Sequence, residues 1–327
     1  MSGRMELLRL LADGARHSGE ELAAALSISR AAVWKRLQQL EEWGILLEAT
    51  PGSGYRLESP LDLLDAAAIR ADLPAAARER LRNLEVHASL ESTSDRLLAV
   101  NDLPAGRFDA CLAEYQSAGR GRRGRQWIAP FASGLCLSVN WNYRDAPATL
   151  SALSLAAGVA ARRALRRLGF PGLSLKWPND IVHADGKVGG ILIDLRGEAA
   201  GPAYFVVGIG INIRLPARVR ERLRAEGVEA LDLASLGQAP KRNDAAAVLV
   251  AELTAALLEF GGRGMAAFAD EWQEADALAG RPVRVLQGGL HFDGLARGVD
   301  GDGALMLETD GVRRRILSGE VSVREIR

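Results

Sequence analysis

Hydrophobic spacing divides the chain into three segments. In residues 1–58 the apolar repeat is helical. Met5–Ala12 reads as a helix. Ser18 predicts an N-cap, and Glu21, three residues on, completes a capping box ahead of Leu22 and Leu26. Ser27-Ile28-Ser29 predicts a tight turn. Ser29 predicts the cap of another helix running to Trp43, with Val33, Leu37 and Leu40 facing inward and Gly44 as its stop. Ile45–Ala49 and Tyr55–Leu57 read as short strands joined by Thr50-Pro-Gly-Ser-Gly54. Two helices across a turn, then a glycine-tipped hairpin, predict a winged helix-turn-helix over residues 1–60.

From 61 to 270 the pattern changes. Strand-like runs at Asn83–Ala88, Ala110–Tyr115, Gly134–Trp141, Ser174–Trp177, Gly190–Leu195 and Tyr204–Ile213 alternate with long Ala-rich helical stretches at Ser151–Leu168 and Asp244–Phe260. This predicts a mixed α/β domain. From 271 to 327 only short runs remain, separated by Gln-Gly-Gly, Asp-Gly-Asp-Gly and Asp-Gly turns. They predict a small SH3-like β barrel. The expected fold class is α+β, in three domains, which suits a chain of 327 residues.

Composition narrows the picture. The chain is 48% hydrophobic and 25% charged, which fits a soluble globular protein. Its two cysteines, Cys111 and Cys136, give neither a disulfide framework nor metal spacing, so a reducing compartment is expected. Met1–Arg16 carries Arg4 and Arg9 among its leucines and does not read as a secretory signal. Gln126–Tyr143, the longest uncharged stretch, is broken by Pro130, Ser133, Asn140 and Asn142 and makes a poor membrane span. A cytoplasmic protein without a membrane partner is expected. Net charge is zero, but it sums −1, +4 and −3 over residues 1–58, 59–268 and 269–327. The central excess equals the four arginines of Gly119-Arg-Gly-Arg-Arg-Gly-Arg125. Only four of the 41 cations are lysines, namely Lys35, Lys176, Lys187 and Lys241, so each lysine stands out.

Gly119-x-Gly121-x-x-Gly124 matches a dinucleotide fingerprint only formally, because Arg125-Gln-Trp-Ile-Ala-Pro130 cannot open the helix that fingerprint requires. The four guanidinium groups suit a clamp on a polyanion such as a triphosphate, a solvated basic loop or an RNA-binding tract. Lys176 lies in Ser174-Leu-Lys-Trp-Pro-Asn-Asp180 and needs a partner, since a lone buried ammonium is costly. Asp180 is one choice, and it is also a candidate Mg²⁺ ligand. Lys187 enters the glycine-rich Gly186-Lys-Val-Gly-Gly-Ile-Leu192; by spacing alone, a hairpin whose glycines serve the turn is the commoner reading. Asn212 in Gly208-Ile-Gly-Ile-Asn-Ile213 either satisfies itself in the core or reads a polar ligand. Glu91-Ser-Thr-Ser-Asp95 is most simply an N-cap and also offers hydroxyls. Nucleophile signatures are missing from the sequence, which directs attention to electrostatic catalysis at phosphate.

Together these motifs make the chain resemble bacterial bifunctional biotin–protein ligases that double as biotin-operon repressors. The likeness covers essentially the whole length. It rests first on Glu114-Tyr-Gln-Ser-Ala-Gly-Arg-Gly-Arg-Arg-Gly-Arg-Gln-Trp127 and Lys176-Trp-Pro-Asn-Asp180, with support from Lys187-Val-Gly-Gly-Ile191 and Gly208-Ile-Gly-Ile-Asn212. The resemblance implies that biotin and Mg²⁺-ATP form biotinyl-5′-AMP, whose biotinyl group passes to a lysine of a biotin carboxyl carrier protein. It implies that Ser92, Thr93 and Gln116 bind the biotin head, and that Arg120 and Arg122 close over the ligand. Trp127 would flank the adenylate and Lys187 would hold the carboxylate and the α-phosphate. Asn212 and Lys176, together with Glu320 and Arg324 from the C-terminal segment, would meet the nucleotide, and Asp180 the metal. It further implies a homodimer when adenylate-loaded and operator DNA as a partner. For the operator, Arg30, Trp34, Lys35 and Arg36 would lie on the recognition helix and Arg56 on the wing. The competing readings are a lipoate–protein ligase and a ligand-sensing transcription factor without ligase activity.

Overall fold

The computed structural model of the chain describes residues 3–50, 52–145, 147, 149–196, 203–287, 289–317 and, by backbone alone, 320–323. The N-terminal unit contains α1 (Gly3–Leu11), α2 (Gly19–Leu26), α3 (Arg30–Gln38) and the hairpin β1 (Leu47–Thr50)–β2 (Gly54–Leu57). Ser18 and Glu21 form the expected capping box, and Ser27 takes a left-handed conformation that turns α2 into α3. The second helix stops earlier than expected. After Gln38 the chain tightens into a 3₁₀ turn at Glu41–Trp43, and Gly44 ends it with positive φ. Leu7, Leu8, Leu11, Leu22, Val33, Leu37 and Leu40 fill the core between the helices.

The central unit runs through α4 (Ala66–Asp72), α5 (Ala75–Arg80), β3 (Leu81–His87), α6 (Thr93–Leu98), β4 (Phe108–Ala113), β5 (Gly134–Tyr143), α7 (Leu153–Arg167), β6 (Ser174–Lys176), β7 (Asp180–His183), β8 (Gly186–Arg196), β9 (Ala203–Asn212), α8 (Ala217–Ala225), α9 (Leu233–Leu236), α10 (Arg242–Arg263) and α11 (Ala269–Ala275). Its seven strands lie in the order β3-β4-β5-β9-β8-β7-β6; only β3 and β4 run parallel. Alternation sorts the side chains. Leu135, Leu137 and Val139 of β5, with Phe205, Val207, Ile209 and Ile211 of β9, join the core formed with α7 and α10. The residues between them face the other side, where α6 lies. α10 is long and apolar enough to cross a membrane by composition, but most of its apolar window is buried in this core.

The C-terminal unit comprises β10 (Pro282–Gln287), β11 (Leu290–Val299), β12 (Leu305–Thr309), β13 (Val312–Ile316) and β14 (Glu320–Val323), ordered β13-β12-β11-β10-β14. This corrects the expected barrel: among the described residues the sheet is antiparallel and open, because its edge strands β13 and β14 do not pair with each other. Its Asp300–Gly303 turn sits on the start of α7. Trp177 Nε1 donates to Gly303 O at 3.0 Å and Ser151 Oγ to Asp302 O at 3.0 Å.

The N-terminal unit is seated on the central one by a stack of Trp43 on Phe131, with centroids 4.9 Å apart and planes within 10°. A buried ion pair fastens the connecting segment. Arg242 Nη1 meets Glu114 Oε2 at 2.5 Å and donates to Asp62 O at 2.7 Å, while Glu114 Oε1 accepts the Leu64 N–H at 2.6 Å.

Candidate active site

A cavity of about 590 Å³ opens on the α6 face of the central sheet. Ser92, Thr93, Gln116, Arg120, Arg122, Trp127, Lys176, Asp180, Lys187 and Asn212 all line it. These ten come from five separate stretches of sequence, which the fold brings to one place. Glu320's side chain and Arg324 lie outside the described residues.

Strand β9 lays out the cavity floor. Gly208, Gly210 and Asn212 alternate onto it, so successive positions stand roughly 7 Å apart. At the Gly208 level lies a cluster of hydroxyls. Ser92 caps α6 by accepting from the Asp95 N–H at 3.3 Å, which directs Thr93 and Ser94 toward β5. Thr93 Oγ1 donates to Gln116 Oε1 at 3.1 Å; Thr93 Oγ1 and Ser138 Oγ are 2.8 Å apart, and Ser138 Oγ and Ser94 Oγ 3.1 Å. A hydroxyl has one proton. Since Thr93 gives its proton to Gln116, Ser138 must donate to Thr93, and Ser94 to Ser138. The chain therefore has one direction, and Gln116 Oε1, which also takes the Thr93 N–H at 2.7 Å, is saturated. The cluster presents acceptor lone pairs on its serines and a donor amide on Gln116. Ser94 belongs to the Glu91–Asp95 run that offered hydroxyls in the sequence, whereas Ser138 stood outside every motif. A lone Ser in the apolar run Leu137–Val139 facing Gly208 was the available signal.

At the Gly210 level sit an aromatic ring and a cation. Trp127 lies so close to Gly210 that a Cβ there would come within 2.4 Å of the indole. Lys187 Nζ stands 5.8 Å from the Trp127 ring centroid and donates to Asp180 Oδ1 at 2.6 Å. This corrects the expected Lys176–Asp180 pair. The two are backbone partners across β6 and β7, but the Asp180 carboxylate reaches over β8 to Lys187, which Gly190 leaves room for. Cys136 also lines this level. Burial pushes its thiol up to about 11, so it stays protonated and is no nucleophile.

At the far level, Asn212 Nδ2 donates to Leu231 O at 2.9 Å and Lys187 O at 3.4 Å. It thus ties the Lys187 backbone to Leu231, directly after the segment Gly227–Ala230 that forms part of the cavity wall. Arg284, Leu286 and His291 of the C-terminal sheet complete the wall. They sit in ordinary-looking strands, and only the docking of that sheet brings them here.

The arginine–glycine loop folds on itself as a flap. Trp127 N–H donates to Gly119 O at 2.9 Å, and Gly121 N–H to Arg125 O at 2.7 Å. Gly119 is required, because a Cβ would stand 2.6 Å from Trp127 O. The Arg122–Gly124 turn is a single 3₁₀ turn that leads to extended backbone, not to a helix. Arg122 Nη1 reaches Asn179 Oδ1 at 3.5 Å. Arg120 is held by two carboxylates, Asp95 and Asp194.

On the N-terminal unit, Trp34 is 55% exposed and Lys35 is exposed beside it. Arg30 is exposed and Arg56 half-buried, and they are paired with Glu20 and Glu48. Arg36 departs from the expected face: its Nη1 donates to Gly3 O at 3.2 Å, against the first turn of α1. One helical step past Lys35 rotates the side chain toward α1 rather than outward.

A central sheet of this topology and a small C-terminal sheet define a two-part ligase architecture, joined to a helix-turn-helix module. Residues 86–212 match the Biotin/lipoate A/B protein ligase family, residues 4–56 an HTH domain, and residues 279–324 the Biotin protein ligase C terminal domain. The chain belongs to the biotin protein ligase family. It is 40% identical to the bifunctional ligase/repressor BirA of Escherichia coli over 98% of this chain and 97% of that protein. It is 35% identical to the biotin–[acetyl-CoA-carboxylase] ligase of Mycobacterium tuberculosis, over 81% of this chain and 97% of that one. The biotin protein ligase of Aquifex aeolicus in complex with biotin and ATP superposes with a TM-score of 0.61 at 26% identity, over 75% of this chain and all of that one.

Proposed function

We propose that the protein is an ATP-dependent biotin–protein ligase that also represses transcription from an operator. The observation that carries the ligand assignment is the directed hydroxyl chain. Acceptors on Ser94 and Ser138 beside a donor on Gln116 complement a cyclic urea, with its two N–H donors and one carbonyl. A dithiolane ring offers no N–H groups and would leave these buried groups unpaired, which disfavours lipoate.

With the ureido head at the Gly208 level, the side chain runs past Trp127 and brings its carboxylate to Lys187 near Gly210. The nucleotide extends toward Asn212. The carboxylate oxygen attacks the α-phosphorus of ATP and pyrophosphate leaves. Lys187, Lys176 and Arg122 offset the negative charge gathered there. The protein supplies no nucleophile, in keeping with a protonated Cys136. A lysine amine of biotin carboxyl carrier protein then attacks the acyl carbon, and AMP leaves. The cavity's carboxylates, Asp180, Asp185 and Glu229, are paired with Lys187, Arg281 and Arg224. One half-buried carboxylate beside the phosphate site fits Mg²⁺, which usually takes few protein oxygens and arrives with phosphates and water. Asp180 would hold it, and the ion would supply charge neutralisation of the triphosphate. Glu320 and Arg324 are assigned to the nucleotide on the resemblance alone.

The expected result of mixing the protein with biotin, ATP and an apo carrier domain is stoichiometric labelling of one carrier lysine. No labelling at saturation would overturn the enzyme reading and leave a ligand sensor; pyrophosphate release with lipoate alone would replace the substrate.

For the DNA role we assign Trp34 and Lys35 to the groove. Arg30 and Arg56 would exchange weak, exposed ion pairs for phosphates. Arg36 supports the helix from behind. The domains would span 1–60, 61–270 and 271–327, the protein would be cytoplasmic, and the adenylate-loaded form would bind a paired operator as a homodimer. Lys35→Ala is expected to weaken an operator gel-shift while leaving carrier labelling intact. An unchanged shift would remove Lys35 from the interface.

A further inference from the structure

We propose that Asp95 and Asp194 are positioning residues for the reaction: they hold Arg120, and through it the arginine–glycine flap, closed over the cavity. Arg120 Nη2 lies 2.7 Å from Asp95 Oδ1; Nη1 and Nη2 lie 3.1 and 2.8 Å from the two oxygens of Asp194. One guanidinium therefore joins three parts of the site. Asp95 belongs to the first turn of α6, the turn that presents Thr93 and Ser94. Asp194 stands on β8, two positions beyond Leu192, which also lines the cavity. The flap itself is a closed unit, with an Arg120–Gln126 bridge, the Gly121–Arg125 bond and the Trp127–Gly119 bond all internal. Its position over the cavity thus depends on side chains that reach outward. The Arg120 contacts are short, and the one to Asp194 is bidentate.

The arrangement suits a flap that must open for biotin and ATP and then retain a reactive acyl phosphate away from water. Both carboxylates are partly exposed, at 51% for Asp95 and 18% for Asp194, so the cluster is strong enough to bias closure and weak enough to release. Two carboxylates share one cation, so loss of Arg120 leaves like charges facing each other. Salt screens such a cluster, which makes flap closure sensitive to ionic strength.

This assignment rests on the ligase reading for its chemistry, and its test has an arm that does not. In ligand-free protein, Asp95→Asn/Asp194→Asn is expected to speed trypsin cleavage within Arg120–Arg125 by about three- to tenfold. In the loaded enzyme the same variant is expected to lose biotinyl-adenylate faster by a similar factor, and that rate should no longer depend on salt as it does in the unaltered protein. Asp194→Glu should restore much of the retention. Asp95→Asn alone, at an exposed position, guards against a folding defect in the double variant. Unchanged cleavage and an unchanged salt dependence would overturn the proposal. So would a fall in melting temperature with cleavage spread over the whole chain, since that marks a purely structural pair. If the unaltered protein forms no adenylate, the ligase reading fails while the cleavage arm still decides the flap.

Discussion

Lys187→Met should reduce pyrophosphate release by about a hundred- to a thousandfold while leaving the fold in place. Lys187 Nζ is the cation at the middle level of the cavity floor, 2.6 Å from Asp180 Oδ1 and 5.8 Å from the Trp127 ring. Methionine keeps most of the side-chain length and removes the charge. The substrate carboxylate and the α-phosphate are both anionic, and their approach needs a fixed cation between them. Without Lys187 they would also face Asp180 with its partner gone. The side chain is partly solvent-accessible, at 30%, so its loss leaves no deeply buried charge behind, and the melting temperature should move little. Biotin binding should survive in weakened form, because the hydroxyl chain at the Gly208 level is untouched. Near-normal pyrophosphate release by this variant would remove Lys187 from the reaction.

Arg242→Met is expected to have the largest effect on stability. It strands the Glu114 carboxylate, fully buried, with only the Leu64 N–H as a donor among the described residues. Breaking a buried pair from one side costs about 3–5 kcal/mol. For a unit of this size that lowers the melting temperature by on the order of 10 °C. Glu114→Gln should be milder, since the amide oxygen still accepts from Leu64 or Arg242. The loss should reach the site as well. Arg242 also donates to Gly134 O, at the start of β5, and Glu114 lies two residues before Gln116. Equal melting of Arg242→Met and the unaltered protein, followed by calorimetry, would show that the pair is not what fastens the connecting segment.

The fold was legible where local rules and tertiary packing agree. The Ser18–Glu21 box, the Ser29 cap and the inward set Val33, Leu37 and Leu40 need only a helix with one wet side. The strands of the central sheet were legible as apolar runs, but their order was not, because β9 pairs with β5 across a long sequence separation. The C-terminal runs gave strands without giving closure. Of the site, the arginine–glycine loop, both cavity lysines and the Gly208–Asn212 strand stood out by residue type. Ser138 did not, since one serine in an apolar strand has no local signature until Ser94 and Gly208 lie against it. Nor did Arg284 and His291, which depend on how a separate sheet docks.

Partner choice was the least legible. Lys176 and Asp180 are neighbours by spacing and by register, yet Asp180 pairs with Lys187. Glu114 opens a loop motif, yet its cation comes from a helix 128 residues away. Arg36 reads as a recognition-helix cation, yet it braces α1. By itself the sequence determined the elements, their caps and the chemical types gathered in the motifs, because propensity, periodicity and residue type are local quantities. Only the tertiary structure decided which carboxylate neutralises which cation, and which way the protons run along Ser94, Ser138, Thr93 and Gln116. Electrostatic and hydrogen-bond partners are set by distances of about 3 Å between atoms, and those distances exist only once the strands have found their order.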